Sequence, residues 1–218
     1  MTQHRPSHDY LPAAGRDALL PFYDAFTALL GAARLHRLLI GQAELAAGQR
    51  VLEIGCGTGN LTVRAKRAHP DVDIVGSDPD PLALARARRK ARALTGIRFE
   101  LGYSQQLPYP DASFDRVLSA LMLHHLDLDT KTATAAEVRR VLRPGGRLHL
   151  VDFTGHTHGM HGFLARRMVK TGHLGDNRDG GISRLLAAAG LDCAEVATLR
   201  HPVLGSVAYY RATRPVQN

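Results

Sequence analysis

A mostly parallel β-sheet with helices on both faces is the fold this 218-residue sequence predicts. Three observations predict it. Strand-like and helix-like segments alternate along the chain, breakers fall between them, and one hydrophobic strand runs straight into a glycine-rich turn that opens a helix. Strands are expected over 50–54, 72–77, 97–101, 114–119 and 147–153. Helices are expected over 60–69, 81–94 and 130–142, each stopped by a breaker: Pro70, Gly96 or Pro144-Gly145-Gly146. A helix ending at Gly190 and two further strands, over 191–199 and 206–212, complete the set.

The length fits one α/β domain with modest additions. Residues 48–153 form its core. Two stretches depart from the rhythm: 1–47, read as a helical cap, and 154–181, a Gly- and His-rich loop, after which 182–218 supply the last helix and strands. Both are expected to cover a ligand. Apolar residues at 44% and charged residues at 22% are ordinary for a globular chain. No window approaches the roughly 18 apolar residues of a membrane span. The first ten residues lack the layout of a secretory signal, and Cys56 and Cys193 do not form a disulfide framework, so a cytoplasmic protein is expected.

The net charge of +8 suits an anionic partner but is also common in Arg-rich chains. Its densest run lies over 81–94, where Leu84, Ala87, Ala91 and Leu94 form one helical stripe and Arg86, Arg89, Lys90 and Arg92 lie mostly opposite. With no interleaved aromatic residues to stack on bases, this reads as a solvated helix face rather than a nucleic-acid footprint.

The chemistry concentrates in V-L-E-I-G-C-G-T-G-N at 51–60. Gly55, Gly57 and Gly59 let the backbone take left-handed dihedrals and approach a ligand closely. A dinucleotide fingerprint wants Gly or Ala at position 60, and Asn60 stands there, which disfavours hydride chemistry. Glu53, two residues before the first glycine, suits a ligand ammonium. The next strand ends in G-S-D-P-D, which puts Asp78 beside the glycine turn, where its carboxylate can accept from both hydroxyls of a ribose. Asp80, before Pro81, reads as the cap of the following helix.

Together with L-G-Y-S-Q-Q-L-P-Y at 101–109, S-F-D-R-V-L-S-A-L-M-L-H-H-L at 113–126 and V-L-R-P-G-G-R-L at 141–148, these segments resemble, in order and spacing, the class I methyltransferases that use S-adenosylmethionine (SAM). The subgroup resembled holds the ubiquinone/menaquinone biosynthesis C-methyltransferases and many small-molecule methyltransferases. The resemblance implies a Rossmann-like, doubly wound, seven-stranded sheet whose last strand is antiparallel. It implies SAM as cofactor and S-adenosylhomocysteine as product, with Glu53, Gly55, Gly57 and Gly59 around the methionine part, Asp78 at the ribose, Tyr103 and Ser104 at the adenine, Ser119 at the methionine end, and Cys56, Asn60 and Pro79 among the further cofactor-binding residues. Tyr103 departs from the family, which commonly has Asp there.

The implied reaction is an in-line displacement at a sulfonium methyl, needing alignment and exclusion of water more than a nucleophile. A small-molecule acceptor is expected, with His124, His125, Tyr10 and Tyr23 as candidate bases. Against that role, His124 and His125 also read as a strand-end pair with one ring packed and one solvated, and Tyr23 as part of an apolar stripe with Leu19, Phe22, Phe26 and Leu30. His156, His158 and His161 invite a metal. Without a thiolate in the stretch, a substrate-facing or plain surface loop is the better reading, and no metal is expected. The rival functions are a nucleic-acid methyltransferase, against which 119–122 lack the Asp/Asn-Pro-Pro-aromatic loop, and a SAM-binding regulator without turnover.

Overall fold

Strands covered on both faces read as near-continuous apolar runs, and β1 (Arg50–Ile54) buries all of its residues after Arg50, with Glu53 the one polar side chain among them. The computed structural model describes residues 31–154, 175–201 and 205–216. Around β1 stand β2 (Asp73–Asp78), β3 (Ile97–Leu101), β4 (Phe114–Ala120), β5 (Leu142–Phe153), β6 (Asp192–His201) and β7 (Gly205–Thr213). They form one seven-stranded sheet in the order β3-β2-β1-β4-β5-β7-β6. The pairings from β3 to β5 are parallel, and β7 runs antiparallel to both its neighbours, β5 and β6.

One face of the sheet carries α1 (Ala32–Ala43), α2 (Asn60–Ala68) and α3 (Pro81–Ala91). There Leu35 and Leu39 of α1, Leu61 of α2 and Leu118 of β4 share one core, and Leu84, Ala87 and Ala91 of α3 close on Phe99 in another. The expected stripe of α3 therefore faces inward. The other face carries α4 (Leu128–Val141) and α5 (Gly181–Ala188), with Ala135, Val138 and Leu186 packed on Leu52, Val117 and Leu150. Capping fixes where these helices start. Asp80 precedes Pro81 and accepts from the Leu82 and Ala83 N–H groups at 2.8 and 3.1 Å, and Asp127 accepts from Thr130 N–H at 2.8 Å.

The strands expected from sequence are found within one or two residues, with one exception. Pro144-Gly145-Gly146, expected to end a helix and precede a strand at Arg147, lie inside β5, which begins at Leu142. The register against β4 steps from Phe114–Leu142 to Arg116–Arg147, so the intervening residues bulge out of the ladder. Gly145, at φ 76°, donates to Arg214 O at 2.8 Å, and Arg143 pairs with Asp115 at 2.6 Å, which pins the bulge. Helix α3 stops at Ala91, three residues short of the expected end at Leu94. Tyr10, Tyr23, His156, His158 and His161, with most of the cap and loop regions assigned to 1–47 and 154–181, lie outside the described residues.

Candidate functional site

The chain leaves β1 toward β2 and β3 on one side and returns as β4 on the other, so the carboxyl ends of β1 and β4 flank the point where strand order reverses. Open α/β sheets bind ligands in that crevice. The turn after β1 is built from backbone. Gly55, Gly57 and Gly59 all hold positive φ, at 66°, 52° and 75°, a region in which side chains other than glycine's are strained. Two of the three also meet close neighbours: a Cβ on Gly55 would stand 2.3 Å from Met122 Cγ, and one on Gly59 2.8 Å from Ala87 and Phe99. The loop after β4 thus packs directly on the turn after β1.

Asp78 joins this turn to β2. One carboxylate oxygen accepts the Gly57 N–H at 2.7 Å and the other the Asp80 N–H at 2.9 Å. Burial pushes its carboxyl up, against the pull of those two N–H groups. Glu53 lies 3% exposed beneath the same turn and accepts from the Thr62 hydroxyl. Its carboxyl is pushed up to about 8, mainly by burial, opposed by the Thr62 hydrogen bond and reinforced by the nearby Asp78. Two carboxyls whose ionisation is opposed by burial, one of them also by the other's charge, form an acceptor set suited to a cationic, hydroxyl-bearing ligand. SAM, with its ammonium, sulfonium and ribose diol, fits that set.

The remaining residues of the expected cofactor site are scattered in role. Cys56 is buried, and burial, with smaller contributions from Glu53 and Asp78, raises its thiol well above the usual range. Asn60 Oδ1 accepts from Lys90 Nζ at 2.8 Å, which ties α2 to α3, and Pro79 is half-buried between the two aspartates. Ser104 Oγ meets Thr134 Oγ1 at 2.9 Å. Its segment is stapled to α4, where Glu137 accepts the Leu107 N–H and Arg140 donates to the carbonyls of Leu107 and Tyr109. Tyr103 is exposed. Ser119 is 1% exposed and lines a small interior space with Ile54, Leu123, Lys131 and Leu150. Its side chain therefore faces the α4 layer.

The turn after β4 carries the histidine pair. Leu121 takes φ 54°, sparsely populated for a branched side chain, and its N–H is held by Val151 O at 2.8 Å. His124 is 6% exposed and His125 is exposed, with ring centroids 3.9 Å apart. One ring is packed and the other solvated. The partner absent from the sequence reading is Asp152, fully buried at the end of β5, whose Oδ1 lies 2.9 Å from His124 Nδ1. Burial pushes the Asp152 carboxyl up, yet His124, by charge and hydrogen bond, and the Phe153 N–H hold it below the ordinary range. The Phe153 and His124 rings meet in a T-shaped contact, centroids 4.7 Å apart. The signal in the sequence was V-D-F, a charged residue within an otherwise apolar strand end.

Among the described residues no group of three or more His, Cys, Asp or Glu is arranged to hold a metal, and no helix is long and apolar enough to cross a membrane.

Residues 51–146 match the family model described as a methyltransferase domain. A demethylmenaquinone methyltransferase of Deinococcus radiodurans is 40% identical over 154 residues, covering 68% of this chain and 63% of that protein. One of Thermus thermophilus is 36% identical over 152 residues, 68% of each chain. This chain therefore spans less than two thirds of the Deinococcus protein. Among solved structures, the YcgJ protein of Bacillus subtilis superposes with a TM-score of 0.66 at 20% identity, covering 84% of this chain and 98% of that one, a likeness of fold.

Proposed function

We propose, since this chain belongs to the family of SAM-dependent methyltransferases, that it transfers the SAM methyl group to a small-molecule acceptor. The observation that carries this reading is the joint made by Gly57 and Asp78: three left-handed glycines after β1, fixed at 2.7 Å to a carboxylate at the end of β2, beside a second buried carboxyl at Glu53. In this reading Glu53 takes the ammonium of the methionine part, and Gly55, Cys56, Gly57, Gly59 and Asn60 shape the turn around it. Asp78 and Pro79 flank the ribose. Asp78 has its carboxylate already oriented by two N–H groups, so ribose binding costs it little reordering. Tyr103 and Ser104 lie along the adenine. For Ser119, which faces the α4 layer, the contribution is to the wall of the strand end.

SAM supplies an electrophilic methyl on a sulfonium. The protein aligns the acceptor with it, excludes water and receives any proton the acceptor must lose. The acceptor is small because the relatives named above act, by their names, on demethylmenaquinone. The expected setting is the cytoplasm, and the reading treats the chain as one methyltransferase domain.

Titration calorimetry with SAM and S-adenosylhomocysteine, followed by release of S-adenosylhomocysteine across a panel of small acceptors, tests it. Binding plus turnover is expected. Binding without turnover on any acceptor would reduce the protein to a SAM-dependent regulator, and steep salt-dependent binding of RNA or DNA would favour a nucleic-acid acceptor.

A further inference from the structure

The net charge of +8 finds no use in the methyl-transfer site, and one group of arginines stands where positive charge is costly. Arg116 of β4 lies in register with Arg147 of β5, and two residues further along β5 His149 lies in register with Arg211 of β7. Residues two apart on a strand share a face, so all four project to one side, the side on which Leu118, Val151 and Tyr209 pack against α1. Like charges directly opposite on neighbouring strands are destabilising. Burial and then the charge of Arg147 weaken the hold of Arg116 on its proton. The nearby carboxylates do not balance three guanidiniums. Glu44, just past the end of α1, pairs with Arg147 at 3.1 Å but is 68% exposed, and Asp115 turns its carboxylate to Arg143 at 2.6 Å and to the Arg50 N–H at 2.8 Å. Arg116 donates to the carbonyls of Ala43 and Asp115. Beneath the arginines His149 is 0% exposed, and among the described residues neither of its ring nitrogens has a hydrogen-bond partner. The same holds for Oε1 of Gln42, whose Nε2 donates to Tyr210 O beside Arg211. Burial, then Arg116, Arg147 and Arg211, push the imidazole down to about 3, so the ring is neutral. Arg147 is 33% exposed and Arg211 is exposed, which opens the cluster to solvent.

We infer that Arg116, Arg147 and Arg211 form a binding site for a phosphoryl oxyanion, a pyrophosphate or phosphomonoester group, laid over His149. The planar guanidinium fork matches phosphate oxygens and grips two of them at once. A multiply charged anion offsets the repulsion between Arg116 and Arg147, which a single exposed carboxylate leaves in place. The charged groups that face His149 are Arg116 from β4, Arg147 from its own strand and Arg211 from β7, with Glu44 behind Arg147. An anion that neutralises the arginines removes part of what keeps the ring from taking a proton, so the imidazole reports occupancy of the site. Arg116 and Arg147 lie toward the amino ends of β4 and of the regular part of β5, whereas the glycine turn and Asp78 stand at carboxyl ends of the sheet. The site is therefore separate from the one assigned to SAM, and its existence does not depend on the methyl-transfer reading.

Calorimetric titration of the full chain with pyrophosphate, at an ionic strength held constant with chloride, should show one saturable site. Arg147→Gln and Arg211→Gln should each weaken it by about 10-fold or more, the loss of a charge-assisted hydrogen bond. Both side chains reach solvent, and thermal melts check that the variants stay folded. Arg98→Gln removes an equal charge from an exposed pair on β3 and should change the affinity by less than about 2-fold. Along the same titration the 15N signals of the His149 ring, assigned by their loss in His149→Gln, should shift toward the protonated form. Equal weakening by Arg98→Gln, or heat that acetate reproduces, would mean an adventitious ion only and would overturn the site; so would a His149 ring that does not respond. Vesicles of phosphatidylcholine containing phosphatidic acid identify the source of the group. If they displace pyrophosphate, the phosphoryl group belongs to a lipid headgroup, and if they do not, to a soluble molecule. S-adenosylhomocysteine is titrated separately, so its failure to bind would count against the earlier reading and leave this site standing.

Discussion

The strand ends of β1 and β4 lie side by side in the sheet, yet they are built from different materials. The first is backbone: three glycines at positive φ, with an N–H group delivered to Asp78. The second is side chain: an imidazole, a carboxylate 28 residues away and an aromatic ring. Backbone geometry is dictated by neighbours in the chain, so the first end could be read from ten consecutive residues. The second exists only once β5 has paired with β4, because nothing in L-M-L-H-H-L selects Asp152 over other carboxylates.

Substitutions that disturb one end alone separate the two. The largest effect is expected from Gly57→Val, which forces a branched residue to φ 52° in the turn itself. SAM affinity should fall by more than about 100-fold, a loss of roughly 3 kcal/mol, while the contact of His124 with Asp152 persists. Calorimetry with unchanged affinity would mean the turn does not meet the cofactor.

Asp78→Ala comes next. A hydrogen bond to a charged group is worth about 1.5 to 3 kcal/mol, so affinity should drop by roughly 10- to 150-fold. Asp78 also holds the Gly57 and Asp80 N–H groups, so thermal melts should show a stability loss as well. Asp78→Asn, which keeps one acceptor oxygen, should recover part of the stability and less of the affinity. Asp80→Ala is the control: about 1 kcal/mol of helix capping with little change in binding.

The smallest effect is one of pH. With its carboxyl at about 8, Glu53 is largely protonated at pH 7 before ligand arrives. A ligand ammonium favours the carboxylate, so binding should release up to one proton, and SAM affinity should rise by up to tenfold per pH unit until about 8, then level off. For folding the sign is opposite: a carboxyl raised from 4.5 favours the native state less as pH climbs through that window. Calorimetry in buffers of different protonation enthalpy measures the released proton, and Glu53→Gln should release none.

What the sequence made legible follows the same division. Alternating elements, the stripe of α3, the cap at Asp80 and the antiparallel β7 all depend on local spacing, on breakers or on an ordered series of motifs, and all are found. Pro144-Gly145-Gly146 was read as a stop because breakers carry no record of strand pairing; only the register against β4 turns them into a bulge. His124 and His125 were recognised as a packed and a solvated ring, but which carboxylate stood behind the packed one was a question of tertiary contact. Ser119 illustrates the reverse case, since strand period alone cannot say which face of a doubly covered strand an inward residue meets.

The order of the sheet also governs assembly during synthesis. β7 follows β6 in sequence but is inserted between β5 and β6, so β6 has no strand to pair with until β7 has emerged. The pairings β1 through β5 can form earlier, and with them the Gly57 contact to Asp78 and the approach of His124 to Asp152. Val207, Ala208, Tyr209 and Tyr210, buried on both faces of β7, then arrive together and seal two cores at once. A ribosome paused before residue 205 would therefore hold a chain whose reactive edge is already drawn and whose interior is still open along β5.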